Sequence, residues 1–502
     1  MLSYLNKKES IIFLIVCLIL ILESISRYYS LSSNYFDFGI FQTNFYNVVK
    51  HPEIIFAFHF QPLLFLWGKI YNLFPLNIAP AIILLEQSAA IIFGIYLIRR
   101  NYGKYVGWVL LLYYPLWANA LLDFHFDHLA IPILAAFFIA VKNNKIGLAL
   151  CISLLLLLIK ESFSFQVITC CIYLIFYSSN QRREFFIVKK NALYALIGIL
   201  VSGIYFYIFY FFISPNYSIT GNYHIIDNGP YTWLFHINNP YQFFEVIFNP
   251  QKIKFLIVIF GLLLFIPLIN PRPLIVLLAP LVISLLAKDQ PLYYSYANHY
   301  TAGMVIPIII AFSYGNKVVV KKMLKYKLSK QTVGIYLTTV LIMISLGFSL
   351  FSSSPIGRLF WSDKVSSYSW KSYIPSMRDE LIKEKISEFI PSDPKVSVAT
   401  QNSLNWGILA NRENYFVFPY GVIESYPSIN WSNNTIDNIY VDYVIIDMNQ
   451  PFFIADKGCN WVYGVCMDKS IELEFLKLVD KIQIKYNVMY ESDNFYIYKK
   501  KI

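Results

Sequence analysis

The sequence predicts a polytopic α-helical membrane protein of about eleven spanning segments, followed by a soluble α/β domain. Three observations predict it. Hydrophobic residues make up 57% of the 502-residue chain and charged residues only 14%, against about 25% charged in an ordinary soluble protein. The apolar residues are gathered into blocks, as a bilayer requires and a soluble core does not. After residue 351 the blocks stop, and short alternating runs separated by turn residues take over.

The first block, Ile11–Ile21, follows Lys7 and Lys8 as a secretory leader would, but no small-residue cleavage site comes after it; Glu23 to Tyr29 is bulky and polar. It reads as a retained first span, 11–26. The other spans are read at 78–98, 105–119, 128–141, 146–159, 163–178, 192–213, 254–269, 274–287, 301–315 and 332–351. Their loops carry charge asymmetrically. Even-numbered loops hold Arg99, Arg100 and Lys104; Lys142 and Lys145; Arg182, Arg183, Lys189 and Lys190; Arg272; and the run Lys317 to Lys330. Odd-numbered loops are poorer in cations, and the longest, 214–253, has none before Lys252. Cations accumulate on the cytoplasmic side. The N-terminus is therefore expected inside, and the odd loops and C-terminal domain outside, in a multi-pass plasma (inner) membrane protein. The net charge of +11 then reflects orientation rather than a nucleic-acid partner. The chain has no Walker loop, GxGxxG motif or zinc-ligand spacing.

Residues 146–178 decide the count. They are almost wholly apolar, with Lys160 and Glu161 at their centre. One long helix would carry that pair near mid-membrane, at about 2.5–3.5 kcal/mol for each charge, and would send the Arg182–Lys190 cluster outside. Two short helices meeting at Lys160-Glu161-Ser162 put the charges at the outer face and the basic cluster inside. They also imply an outer surface that dips into the membrane.

In the C-terminal part, Val396–Thr400, Tyr415–Phe418 and Tyr443–Asp447 read as strands and Met377–Phe389 and Ile471–Ile482 as amphipathic helices. Val488–Lys499 reads as a hairpin turning at Ser492-Asp493-Asn494. Asp442 and Asp447, around the third strand, are read as structural. Cys17, Cys151, Cys170 and Cys171 fall in apolar blocks and are expected to pack as small hydrophobes. Cys459 and Cys466 lie in a polar loop, where an exported domain permits a disulfide without demanding one.

The polar residues that apolar context leaves unexplained all map to the outer face. They are Asp37 and His59 in the first loop, Asp123, His125 and Asp127 in the third, Lys160 and Glu161 at the hairpin, and His299 before the tenth span. Each also has a plain reading. Asp37 stands where a helix starts, and Asp is a favoured N-cap. His59, between Phe58 and Phe60, suits a hydrogen-bonded interfacial histidine. Asp123, His125 and Asp127 alternate, so an extended chain turns them to one face. There they can bind a divalent cation or simply form a polar loop. Lys160 and Glu161 can neutralise each other at a helix end. The tyrosines around His299 (Tyr293, Tyr294, Tyr296 and Tyr300, with Asn298) suit an aromatic belt.

A long external first loop with an acidic residue soon after the first span resembles the GT-C glycosyltransferases, polytopic enzymes that use sugars carried on polyprenyl phosphates. More narrowly, the matching stretches are Phe36-Asp37-Phe38-Gly39-Ile40-Phe41-Gln42, Phe58-His59-Phe60-Gln61-Pro62, Asp123-Phe124-His125-Phe126-Asp127, Ile159-Lys160-Glu161 and Asn298-His299-Tyr300. They resemble a family of predicted bacterial and archaeal membrane proteins that carries a domain of unknown function. The sequence departs from that family's pattern at Ser162, where an acidic residue would follow Lys-Glu. The resemblance implies a GT-C-like transmembrane domain, 1–351, with external loops, and an extracytoplasmic α/β domain, 352–502. It implies an inverting glycosyltransferase that moves a sugar from a polyprenyl-phosphate donor to an extracytoplasmic acceptor. Asp37 is then the catalytic base. Lys160, His299 and His59 face the donor phosphate or sugar, and Asp123, His125, Asp127 and Glu161 face the acceptor or a metal. A divalent cation (Mg or Mn) and no cofactor at all are equally compatible with it. Membrane-buried polar residues also suit a transporter or flippase of a lipid-linked or polar substrate. Against that, no convincing internal repeat is present and the polar residues gather at one face. A non-catalytic scaffold would need none of them.

Overall fold

The computed structural model describes residues 2–56, 59–121, 123–179, 185–213, 246–287, 291–296, 298–351, 354–358, 360–361, 370–402, 404–418, 441–449, 459–460, 465–466, 479–480 and 482–501. Helices carry the first 351 residues: α1 (Leu2–Tyr29), α2 (Ile40–Asn47), α3 (Leu63–Tyr71), α4 (Ala79–Tyr102), α5 (Lys104–Leu111), α6 (Tyr114–Leu121), α7 (Ala130–Lys142), α8 (Ile146–Leu154), α9 (Phe163–Ser179), α10 (Phe185–Ile208), α11 (Pro250–Gly261), α12 (Leu278–Leu286), α13 (Ala302–Lys325) and α14 (Lys330–Phe351).

Among the described residues, five stretches are long and apolar enough to cross a membrane: Lys8–Tyr29, Ala79–Tyr102, Asn191–Ile213, His299–Lys325 and Lys330–Phe351. The other expected spans are shorter or broken, for local reasons. The stretch 105–119 divides into α5, ending at Leu111, and α6, starting at Tyr114; Pro115 has no N–H to donate to the Leu111 carbonyl and its ring crowds it. The stretch 254–269 breaks after Gly261, where Leu264 and Phe265 take left-handed φ values of 54° and 56°. The stretch 274–287 starts as a single turn, Arg272–Ile275, with Pro271 and Pro273 around it, before α12. Residues 146–178 turn at Lys160-Glu161-Ser162, between the 3-10 extension of α8 (Leu155–Leu158) and α9. The first loop contains α2 and α3, short helices that the apolar blocks do not announce. Residues 214–245 of the longest expected loop, and Arg182 and Arg183, lie outside the described residues.

Charges and site-forming polar groups occupy opposite ends of the helices. Arg99 and Arg100 lie in the last turn of α4, and Lys322 and Lys325 in the last turn of α13. Glu86 and Gln87 sit in the first half of α4, and His299 just before α13. The basic end is clamped by Glu9, which accepts from Arg99 at 2.7 and 2.8 Å and from the Trp108 indole at 2.6 Å. Midway, α13 packs so closely on the Ile266–Ile269 turn that a Cβ on Gly315 would lie 2.3 Å from the Ile266 carbonyl oxygen. Small residues permit such approaches within membranes. Gly315→Ala is expected to destabilise the fold by about 1–3 kcal/mol, read as a lower melting temperature in detergent. Gly203→Ala, where a Cβ meets nothing within 4 Å, should melt as the wild type does.

Beyond residue 351 the described elements are α15 (Met377–Phe389), α16 (Gly407–Ala410), β1 (Val398–Thr400), β2 (Tyr415–Val417), β3 (Tyr443–Asp447), β4 (Cys459–Asn460), β5 (Val465–Cys466), β6 (Tyr486–Ser492) and β7 (Phe495–Lys500). A five-stranded sheet runs in the order β2-β1-β3-β7-β6, parallel among β2, β1 and β3 and antiparallel from β3 to β7 and β6. Ser376 and Asp379 form a capping box at the start of α15. The β6–β7 hairpin turns at Asp493 and Asn494 with φ of 46° and 61°, a backbone that Asn and Asp adopt more readily than most residues. Most of the expected helix Ile471–Ile482 lies outside the described residues.

Alternate residues of the sheet serve two cores, as the two-residue period of a strand requires. Val398, Ile445 and Ile497 join the large apolar cluster built by the helices. Ala399, Val444, Ile446 and Tyr498 join a second cluster with Val479, Ile482 and Tyr486. The C-terminal region therefore shares a core with the helices. Asp442 accepts from the amide and hydroxyl of Ser397, both at 2.8 Å. Asp447 is fully buried and accepts from Arg378 at 2.7 and 2.8 Å. Cys17, Cys170 and Cys171 are buried free thiols, but Cys151 is exposed on α8 rather than packed in the core. Cys459 and Cys466 are paired residues across β4 and β5; their side chains lie outside the described residues.

Candidate functional site

Asp37 enters the site from a π-helical turn, Tyr35–Gly39, that runs directly into α2. The turn is closed by the Gly39 amide donating to the Asn34 carbonyl at 3.1 Å. Turns of this wide kind recur at functional sites because they re-aim a side chain. No side chain caps α2, so Asp37 is not its N-cap. Its Oδ1 instead lies 3.3 Å from His125 Nε2, and its side chain remains 26% exposed.

His125 is held from several sides. Its amide donates to Gln87 Oε1 at 3.1 Å, and Phe41 meets the imidazole edge-on at 5.6 Å. Its ring stacks on His299 with centroids 3.5 Å apart and an interplanar angle of 13°. Asn298 Oδ1 accepts from the His299 amide at 2.7 Å and so fixes the turn that opens α13. Tyr300 lies 4.1 Å from the His299 ring, and Lys160 Nζ lies 5.3 Å from the Tyr300 ring. His299 Nδ1 makes no hydrogen bond among the described residues.

Lys160 and Glu161, adjacent at the hairpin, face different partners. Lys160 Nζ lies 2.6 Å from Asp127 Oδ1, with both side chains under a tenth exposed. Glu161 is fully buried and accepts from His59 Nδ1 at 2.8 Å and from the Phe60 amide at 3.0 Å. Burial opposes its charge, but His59 and Lys160 outweigh burial and hold the carboxyl below its usual range. Asp123 accepts from the Asn34 amide at 2.7 Å and lies 3.7 Å from Arg27 Nε. Burial, opposed by Arg27 and reinforced by Asp37, pushes its carboxyl up to about 6.

The structure thus brings all eight candidates into one connected cluster, from four separate parts of the chain. It does not gather Asp123, His125 and Asp127 on a common ligand. Their side chains take three separate partners, Arg27, Asp37 and Lys160. Among the described residues, no group of three or more His, Cys, Asp or Glu could hold a metal ion. Three further residues belong to the site. Arg27 is a buried cation in the last turn of α1, and its signal is that a cation there runs against the orientation expected from the loop charges. Glu86 and Gln87 interrupt an apolar block, where a polar residue needs a partner. Glu86 accepts from the Trp67 indole at 3.0 Å and lies 3.4 Å from His128 Nε2.

No curated protein matches the chain. Among solved structures, the chain is similar to ArnT from Cupriavidus metallidurans, in a crystal structure bound to undecaprenyl phosphate. The two share 11% identity over 97% of each chain, with a TM-score of 0.42. A family model described as predicted membrane protein DUF2079 matches residues 27–460. That stretch contains all eight candidate residues and strands β1, β2 and β3 of the C-terminal sheet, and the chain belongs to the DUF2079 family of predicted membrane proteins.

Proposed function

We propose that this protein is a membrane glycosyltransferase that moves a sugar from a polyprenyl-phosphate donor to an acceptor on the extracytoplasmic side. One observation carries the reading. A part-exposed carboxylate held by a histidine and a buried cation stand in one run of contacts, Asp37–His125–His299–Tyr300–Lys160. The resemblance to GT-C enzymes, a long first external loop with an acidic residue soon after the first span, supports it.

In this reading the acceptor hydroxyl approaches Asp37 from its exposed side. The acceptor oxygen bonds to the anomeric carbon while the carbon–oxygen bond to the phosphate breaks. The electron pair leaves with polyprenyl phosphate, the hydroxyl proton passes to Asp37, and back-side attack inverts the sugar. Lys160 carries three N–H donors, so it can keep Asp127 and still meet a phosphate oxygen. His299 and part-exposed His59 supply further polar contacts to phosphate or sugar. The same proposal includes a transmembrane domain over 1–351, an extracytoplasmic domain over 352–502, and the basic helix ends in the cytoplasm.

The test is the lipid that purifies with the protein in mild detergent, identified by native mass spectrometry. Polyprenyl phosphate or its glycosylated form on the wild type, lost from Lys160→Ala, is the expected result. Ordinary phospholipids alone, equally on both proteins, would remove the donor from the proposal.

A further inference from the structure

A base must stand at a fixed point, yet Asp37 lies in an external loop. The turn carrying Asp37 runs straight into α2, so whatever orients α2 also orients the carboxylate. One side of this helical stretch is accounted for within the site, because Phe41, one turn after Asp37, packs on His125. The next residue, Gln42, is fully buried and turned elsewhere. Its Oε1 accepts from Asn405 Nδ2 at 2.7 Å, across 363 residues of chain.

Further bonds from the same short C-terminal segment run parallel to this one. The Gly407 amide donates to Tyr28 Oη at 2.7 Å, Tyr71 Oη donates to Asn411 Oδ1 at 3.0 Å, and Asn47 Nδ2 donates to the Arg412 carbonyl at 3.2 Å. Trp406 stacks on Tyr28 at 5.4 Å, and Tyr28 meets Phe38, the neighbour of Asp37, edge-on at 5.8 Å. The approach is close, since a Cβ on Gly407 would lie 2.7 Å from the Leu76 carbonyl oxygen and 2.8 Å from Tyr28 Oη. Residues 405–412 therefore bond to the end of α1, to α2 and to α3 at once. Amide and hydroxyl bonds between buried groups fix register and direction, which apolar packing alone does not.

We propose that the 405–412 segment positions the turn bearing Asp37, with Asn405 acting through Gln42 as the positioning residue. The kinetic consequence rests on the transferase reading, while the structural consequence does not. The C-terminal region then sets the geometry of the base, in addition to any contact it makes with an acceptor.

The experiment uses the full-length protein in detergent and compares wild type, Asn405→Leu, Tyr71→Phe and the reciprocal swap Gln42→Asn with Asn405→Gln. Hydrogen–deuterium exchange is read at residues 35–47 and, as a reference, at 377–389. Turnover with a polyprenyl-phosphate sugar and donor occupancy by native mass spectrometry are read in parallel. Asn405→Leu is expected to speed exchange at 35–47 about tenfold with 377–389 unchanged. It should also lower kcat by up to about 100-fold while the KM for donor and its occupancy hold, and the swap should restore both. Tyr71→Phe should show the same pattern more weakly, and it serves if Asn405→Leu does not fold. Unchanged exchange at 35–47, or an equal rise at 377–389, would overturn the proposal. If the wild type transfers no sugar, the transferase reading fails, and the exchange measurements still decide the positioning.

Discussion

Asp37→Asn is expected to leave at most a few per cent of wild-type transfer while expression and bound lipid stay near normal. The amide is close to isosteric and can still meet His125, so the turn and its surroundings should persist. On the proposed mechanism, what it loses is the ability to take the acceptor proton, a contribution of about 10²- to 10⁴-fold for a positioned base. Initial rates at saturating donor, alongside native mass spectra of the same preparation, separate the two effects. Asp123 is the rival carboxylate. It is buried and already engaged by Asn34 and Arg27, whereas Asp37 keeps an exposed side. If Asp37→Asn retains more than a few per cent of activity, Asp37 is not the base.

The second large effect is expected at Lys160. Lys160→Met removes the cation proposed for the phosphate and strands Asp127, a carboxylate under a tenth exposed. Leaving one partner of a buried ion pair alone costs about 3–5 kcal/mol, so the melting temperature should fall together with donor occupancy. The double variant Lys160→Met with Asp127→Asn separates these losses. It removes the stranded charge and should recover much of the stability, yet it should remain empty of polyprenyl phosphate. Recovery of donor binding in the double variant would mean that Lys160 serves Asp127 and not the phosphate.

Much of this architecture is legible where a single local rule dominates. The C-terminal elements follow simple periods, and Met377–Phe389 and Tyr443–Asp447 occupy the ranges that their apolar spacing predicts. The turn at Lys160-Glu161-Ser162 follows from the cost of charge in a bilayer. The helix count is less legible. An apolar block shows that a segment is buried, but Pro115 and the left-handed Leu264–Phe265 pair end helices inside blocks that hydropathy alone reads as continuous. Within the site, residue types point to the right neighbourhood but not to partners. Alternation suggests that Asp123, His125 and Asp127 share a face, whereas a 3-10 turn at Phe126–Leu129 sends Asp127 towards Lys160. Arg27 and Asn405 belong to the same assembly, and no local pattern joins residues so distant in the chain.

The seam between Tyr28 and Gly407, 379 residues apart, also has a meaning in time. A ribosome adds about 5–20 residues each second, so roughly 20–75 s separate the emergence of the two partners. Through that interval Tyr28, Gln42 and Tyr71 wait without the groups that complete them. The loop that carries Asp37 is thus among the last parts of the protein to be finished. A chain stalled or clipped before residue 405 would carry Asp37 on an unsupported turn.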